Sequence, residues 1–230
     1  MIHGFNKTTL LDYPGHLAAT IFFGGCNFRC PFCHNATLVL SPNSQPIIPE
    51  DVIFETLNNR LGILEGVCIT GGEPTLYPNL IPFIEKIKAL GLLVKLDTNG
   101  TNPDLLHELI SKKQIDYVAM DIKNSKDKYA VTIGLPTAPI KEISESISIL
   151  LESDIDYEFR TTVVKEFHSL DDFLAIGKWI QGAKSYYLQA YKDSDDVISS
   201  GLHSYSKDEL KHFAKELQAY VNKVSIRGIE

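Results

Sequence analysis

Along the chain, short apolar runs rich in β-branched residues alternate with stretches in which apolar residues return every three or four positions. The runs predict strands over 18–23, 66–70, 93–98, 117–122, 157–164 and 185–190. The helical stretches between them carry their own punctuation. Asn79 is placed to cap a helix with Leu80, Ile84 and Ile87 on one face, ended by Gly91. Asn102-Pro103 supplies a cap and then a proline at the first helical position, leading into Leu105, Leu106, Leu109 and Ile110. Ile143, Ile147, Leu150 and Leu151 form another stripe, and Ser169 precedes one that holds Phe173, Leu174 and Ile180. The last helix opens on a capping box, Ser206 with Glu209 three residues later, and turns Leu210, Phe213 and Leu217 inward.

Six strands, each followed by a helix, predict an α/β protein with a parallel sheet and right-handed crossovers. A doubly wound open sheet and a partial barrel share this alternation, and periodicity does not separate them. Both gather ligands at the carboxyl ends of the strands. Those ends hold most of the reactive residues. Cys26 follows the first strand, Gly71-Gly72-Glu73-Pro74 the second, and Asp97-Thr98-Asn99-Gly100 closes the third. Asp121-Ile122-Lys123 closes the fourth, Arg160 lies in the fifth, and Gln189-Ala190-Tyr191-Lys192 ends the sixth. Parallel neighbours would bring all of these to one rim. Residues 40–49, with three prolines and two serines, read as a loop, and no internal repeat or low-complexity tract interrupts the chain.

Composition narrows the class. The 230 residues, 44% of them hydrophobic, suit a single domain over 1–230. Within it, 1–17 form a short N-terminal extension, and 206–229 a C-terminal helix plus strand. A net charge of −7 argues against a nucleic-acid partner held by a broad basic surface. No apolar run approaches the roughly 20 residues that cross a bilayer, so no membrane partner is expected. The opening MIHGFNKTTLLDYPG lacks the basic start and apolar centre of a signal peptide, which points to the cytoplasm. Of four cysteines, three fall within Cys26–Cys33, too few and too local for a disulfide framework. Metal or redox chemistry is the alternative.

Those three cysteines are spaced C-x3-C-x2-C in CNFRCPFCHN. Structural zinc takes four protein ligands; here His34 or distant Cys68 would have to complete the set. His34 adjoins Cys33, which makes joint tetrahedral coordination awkward. Cys68 sits inside a strand, between Val67 and Ile69, where cysteine packs as a small hydrophobe. An iron–sulfur cluster is held by thiolates, and three of them leave one iron open. The cluster is the better fit, with zinc as the rival.

Cys26, Cys30, Phe32 and Cys33, together with GGEP after the second strand, resemble the signatures of radical S-adenosylmethionine (SAM) enzymes. Their fold is a partial (β/α)6 TIM-like barrel, which the resemblance selects over the open sheet. GFNKTTLLDYPG, VCITGGEPTL, LDTNG and MDIK are further similar to the glycyl-radical-enzyme activases, over 4–227. The resemblance implies that Cys26, Cys30 and Cys33 hold a [4Fe–4S] cluster whose open iron chelates SAM. It places Phe32 near the adenine and the backbone of His34 on SAM, assigns Gly71 and Gly72 to the SAM amino group, and leaves Glu73 either to bond that group or to brace the turn. Asp97 and Thr98 would hold a monovalent cation against the SAM carboxylate. Asp121, Ile122 and Lys123 match a D-x-K segment whose lysine reaches the ribose or carboxylate, and Arg160 and Lys192 join the same rim. Tyr191-Lys192 stands where several activases carry an adenine-side histidine. Each residue also has a plainer role: loop packing for Phe32, a tight turn for the glycines, a helix cap for Asp97, a strand-end ion pair for Asp121 and Lys123.

The activity implied is reductive cleavage of SAM and formation of a glycyl radical on a partner, the anaerobic ribonucleoside-triphosphate reductase, with flavodoxin or ferredoxin as electron donor. The rivals are a radical SAM enzyme acting on a small molecule, such as a carboxydeazaguanine synthase, and a zinc-stabilised binding module. No cysteines exist for the additional clusters that some activases carry in insertions.

Overall fold

The computed structural model describes residues 1–229, and eight strands and eight α-helices lie among them. The chain forms two compact units, one of residues 1–27, 37–98 and 102–119, the other of 28–36, 99–101 and Met120 onwards.

In the first unit, strand order follows chain order. Strand β1 (Ile2–Thr9) runs antiparallel to β2 (Ala18–Phe23). Strand β3 (Gly66–Gly71) lies parallel to β2, with Ala18 opposite Gly66 and Phe23 opposite Gly71. Strand β4 (Leu93–Thr98) lies parallel to β3, and the first residues of β5 (Tyr117–Asp121) follow. After the short helix α1 (Ala36–Leu40) come α2 (Glu50–Asn58), α3 (Leu80–Ala89) and α4 (Pro103–Ser111). Helix α3 buries Leu80, Phe83, Ile84 and Ile87 at helical spacing, and Gly91, at φ +78°, provides the left-handed residue just beyond its end. Asn102 caps α4 by accepting the Leu105 N–H. Ile21, Ile53, Leu57, Val67, Ile69 and Val94 are fully buried between sheet and helices. Each such side chain contributes about 1.5–3 kcal/mol.

Residues 1–17, expected as an extension, thus contain a full strand. Its alternation is hidden because Asn6, Lys7 and Thr8 are exposed and the register slips twice, between Ile2 and Gly4 and between Asn6 and Thr9. Helix α2 was also missed, although Glu50 and Asp51 in its first turn and buried Ile53 and Leu57 carry a helical signal.

The second unit holds the end of β5, then β6 (Asp156–Val163), β7 (Tyr186–Ala190) and β8 (Val224–Arg227), parallel from β6 onward. Its helices are α5 (Tyr129–Thr132), α6 (Ile140–Glu152), α7 (Leu170–Trp179) and α8 (Lys207–Leu217). The predicted capping box at Ser206 forms, with Glu209 accepting from the Ser206 N–H at 2.8 Å. Arg227 on β8 meets buried Glu158 on β6 through two bonds of 2.6 and 2.8 Å, its guanidinium 3.5 Å from the Tyr187 ring centroid. That contact ties three strands together. No helix among the described residues is long and apolar enough to cross a membrane.

Candidate active site

In the first unit, β2 opens directly into the head of the cysteine loop, and the GGEP turn is fastened to that junction. The Gly72 N–H donates to Phe23 O at 2.7 Å, and the Glu73 N–H to Gly25 O at 2.8 Å. A Cβ on Gly72 would fall 2.0 Å from Gly25 O; one on Gly71, at φ +124°, would fall 2.2 Å from Phe23 O. The close approach that these glycines permit is therefore between two protein segments. Cys26, half-buried, follows at once.

Glu73 is 1% exposed. Its Oε1 accepts three bonds: the Thr75 N–H at 3.1 Å, the Thr75 hydroxyl at 2.7 Å and the Thr98 hydroxyl at 2.8 Å. A buried carboxylate needs such donors. Thr98 thus braces the GGEP carboxylate from the end of β4. Its neighbour Asp97 is engaged by the ammonium of Lys95, which also lies 3.6 Å from Cys68 Sγ. Cys68 itself is fully buried in β3.

The second unit carries the rest of the cysteine loop. The Cys33 N–H donates to Cys30 O at 3.0 Å, so the two residues close one turn. Arg29 N–H donates to Ile133 O at 2.8 Å. Ser199 N–H reaches Pro31 O at 2.8 Å and Ala36 N–H reaches Asp196 O at 3.2 Å, so the segment after β7 straps the loop. Lys192 contributes its backbone to this strap: its carbonyl meets His34 Nε2 at 2.6 Å, while its side chain is exposed. His34 also lies 5.4 Å, ring to ring, from Tyr191. Phe32 is buried, packed on Phe167 and His168.

At the end of β5, Asp121 stands between two cations. Lys123 Nζ donates to its Oδ2 at 2.9 Å and Arg160 Nε to its Oδ1 at 3.0 Å. Burial alone would raise the Asp121 carboxyl, but Arg160 and Lys123 overcome it and hold it down at about 2. Burial would likewise lower the Lys123 ammonium; Asp121 and the negative charge of Cys30 and Cys33 instead raise it. Ile122 is fully buried, its N–H donating to Arg160 O at 2.8 Å.

Two contributors escaped the sequence reading. His168, 2% exposed, accepts the Val164 N–H on Nδ1 at 3.1 Å and donates from Nε2 to Lys123 O at 2.8 Å. The hydroxyl of fully buried Tyr129 accepts the Lys123 N–H at 3.2 Å. Both fix the backbone that presents Lys123, and neither sits in a recognisable motif.

The family model described as the radical SAM superfamily matches residues 20–180. The chain belongs to the radical SAM superfamily. It is 33% identical over 235 residues to a Methanocaldococcus jannaschii protein named a glycyl-radical enzyme activating enzyme, covering 100% of this chain and 96% of that one. The glycyl-radical activases are therefore its family. It is 31% identical over 132 residues to the pyruvate formate-lyase-activating enzyme of Clostridium pasteurianum, covering 55% of this chain and 53% of that one. Among solved structures, SuiB of Streptococcus suis superposes with a TM-score of 0.69 at 16% identity, over 90% of this chain and 48% of SuiB. The fold class is the α/β, partial TIM-like barrel of the radical SAM enzymes.

This superfamily implies a [4Fe–4S] cluster and SAM. Among the described residues, no three His, Cys, Asp or Glu side chains are gathered around a single-ion position. A four-iron cluster asks for thiolates distributed over several irons. The donor chemistry fits: Cys30 and Cys33 share one tight turn, and the same unit carries Lys123 as a cation fixed by Asp121.

Proposed function

We propose that this radical SAM enzyme activates a glycyl-radical partner, the anaerobic ribonucleoside-triphosphate reductase, in the cytoplasm. When bound, the cluster and SAM would supply the chemistry, a one-electron reductive cleavage of SAM, fed by flavodoxin or ferredoxin, that would end in hydrogen-atom abstraction from a partner glycine. Cys26, Cys30 and Cys33 would hold the cluster. Lys123, held by Asp121, whose other oxygen is braced by Arg160, offers a fixed ammonium to the anionic or hydroxyl groups of SAM. Phe32 and the His34–Lys192 contact shape the adenine side, and Glu73, braced by Thr75 and Thr98, is a fixed acceptor for the SAM ammonium.

The observation that carries this reading is the Lys123 ammonium, fixed by Asp121 at 2.9 Å at the end of β5, in a chain matching a named activating enzyme over its full length. The choice of ribonucleotide reductase rests on the joint likeness of CNFRCPFCHN, GGEP, DTNG and MDIK. The test is electron paramagnetic resonance on reduced enzyme, SAM and candidate glycyl-radical proteins. A doublet-like glycyl signal should appear on the anaerobic reductase and vanish when the acceptor glycine is alanine, while slow 5′-deoxyadenosine formation continues. A signal on another glycyl-radical enzyme alone would reassign the partner; a small molecule consumed in step with SAM would end the activase reading.

A further inference from the structure

Lys95 is an unusual residue for the middle of β4. It is 2% exposed, in a strand whose Val94 and Leu96 are fully buried. An ammonium in such a place is costly unless it is paired. Strand alternation puts Lys95 and Asp97 on one face, and there the ammonium engages the Asp97 carboxylate, itself only 14% exposed. Cys68 Sγ, on neighbouring β3, lies 3.6 Å from the same nitrogen.

Asp97 and Thr98 are the residues expected to hold a monovalent cation, and their side chains do not suit it. Adjacent strand residues point to opposite faces, and the Thr98 hydroxyl is turned to Glu73 at 2.8 Å. The Asp97 charge is already answered by an ammonium that the strand fixes in place. An alkali ion on that carboxylate would stand within a few ångströms of Lys95, and the two like charges would repel strongly in so buried a setting.

We propose that Lys95 is the built-in counter-cation of Asp97, taking the place of an alkali ion, and that SAM binding by this protein is indifferent to potassium and sodium. Lys95 is a positioning residue: it holds Asp97 at the carboxyl end of β4. The inference rests on the SAM-binding reading above, and its test needs no partner protein.

SAM affinity of the anaerobic holoprotein is measured by equilibrium dialysis in potassium, sodium and choline chloride at equal ionic strength. The wild-type dissociation constant should agree within about twofold across the three salts, whereas Lys95→Met should lose about tenfold in choline and regain it in potassium. Lys95→Arg should behave as wild type. Thermal melting without SAM gives a second readout: potassium should raise the midpoint of Lys95→Met and leave that of wild type unchanged. Wild-type affinity that depends on potassium overturns the proposal. So does a cluster-loaded Lys95→Met protein with wild-type affinity in choline and no potassium response. Should Lys95→Met fail to fold, the wild-type titration and Lys95→Arg decide alone. Absence of SAM binding in every salt would instead sink the cofactor assignment itself.

Discussion

Asp121 accepts from Lys123 and Arg160 at once, and this arrangement decides what Lys123 can do. A lysine on a flexible four-carbon stem presents a roaming charge; one tethered to a carboxylate presents it at a fixed place. The D-x-K spacing already put Asp121 and Lys123 on the same face. The partnership with Arg160 was out of reach, because it joins residues 39 positions apart. Lys95 was illegible for a related reason. A single lysine in an apolar strand reads as a side chain bound for solvent, and only the fold reveals that its partners are Asp97 and Cys68. Lys123→Met removes the fixed ammonium while keeping the stem's bulk. SAM affinity should fall about tenfold, the loss of one charge-assisted hydrogen bond, with iron and sulfide content unchanged. Unaltered SAM affinity would return Lys123 to the role of a strand-end ion pair.

At the level of elements, the GGEP turn and the head of the cysteine loop, residues 23–26, behave as one piece of backbone. Gly72 N–H to Phe23 O and Glu73 N–H to Gly25 O lock the turn beneath Cys26, and Gly72 leaves no room for a Cβ against Gly25 O at 2.0 Å. Gly72→Ala should therefore displace the start of the cysteine loop. Iron bound after anaerobic reconstitution should drop well below the wild-type value, and the melting midpoint should fall by several degrees, as about 1–3 kcal/mol of strain would produce. Full iron content in that variant would show that the loop head yields without consequence. The strands that carry these motifs were legible because apolar, β-branched runs end where the chemistry begins. Strand β1 was not, since three of its eight residues are exposed in a row and its register slips twice.

For the molecule as a whole, buried ionisable groups set the pH range of stability. Burial lowers the His168 pKa, and the Lys123 and Val164 backbone bonds, Asp172 nearby and Lys128 only modify that. Unfolded histidine titrates near about 6.5, so below that pH the unfolded chain takes up a proton that folded His168 refuses. Stability must then decline as pH falls from about 6.5. Asp121, held at about 2, adds a second loss as pH falls from about 4, where an unfolded aspartate protonates. Tyr129 and Tyr186 work from the other side. Burial raises both phenols, so their contribution persists below the unfolded value of about 10 and is lost as pH rises above it. The melting midpoint of the cluster-free protein should accordingly be highest between about pH 7 and pH 10 and descend in two steps on the acid side. His168→Gln keeps an amide able to meet Lys123 O but cannot protonate. It should flatten the step below about pH 6.5 and leave the one below about pH 4 in place. A wild-type midpoint unchanged between about pH 7.5 and pH 5.5 would mean that His168 is not held neutral in the folded protein.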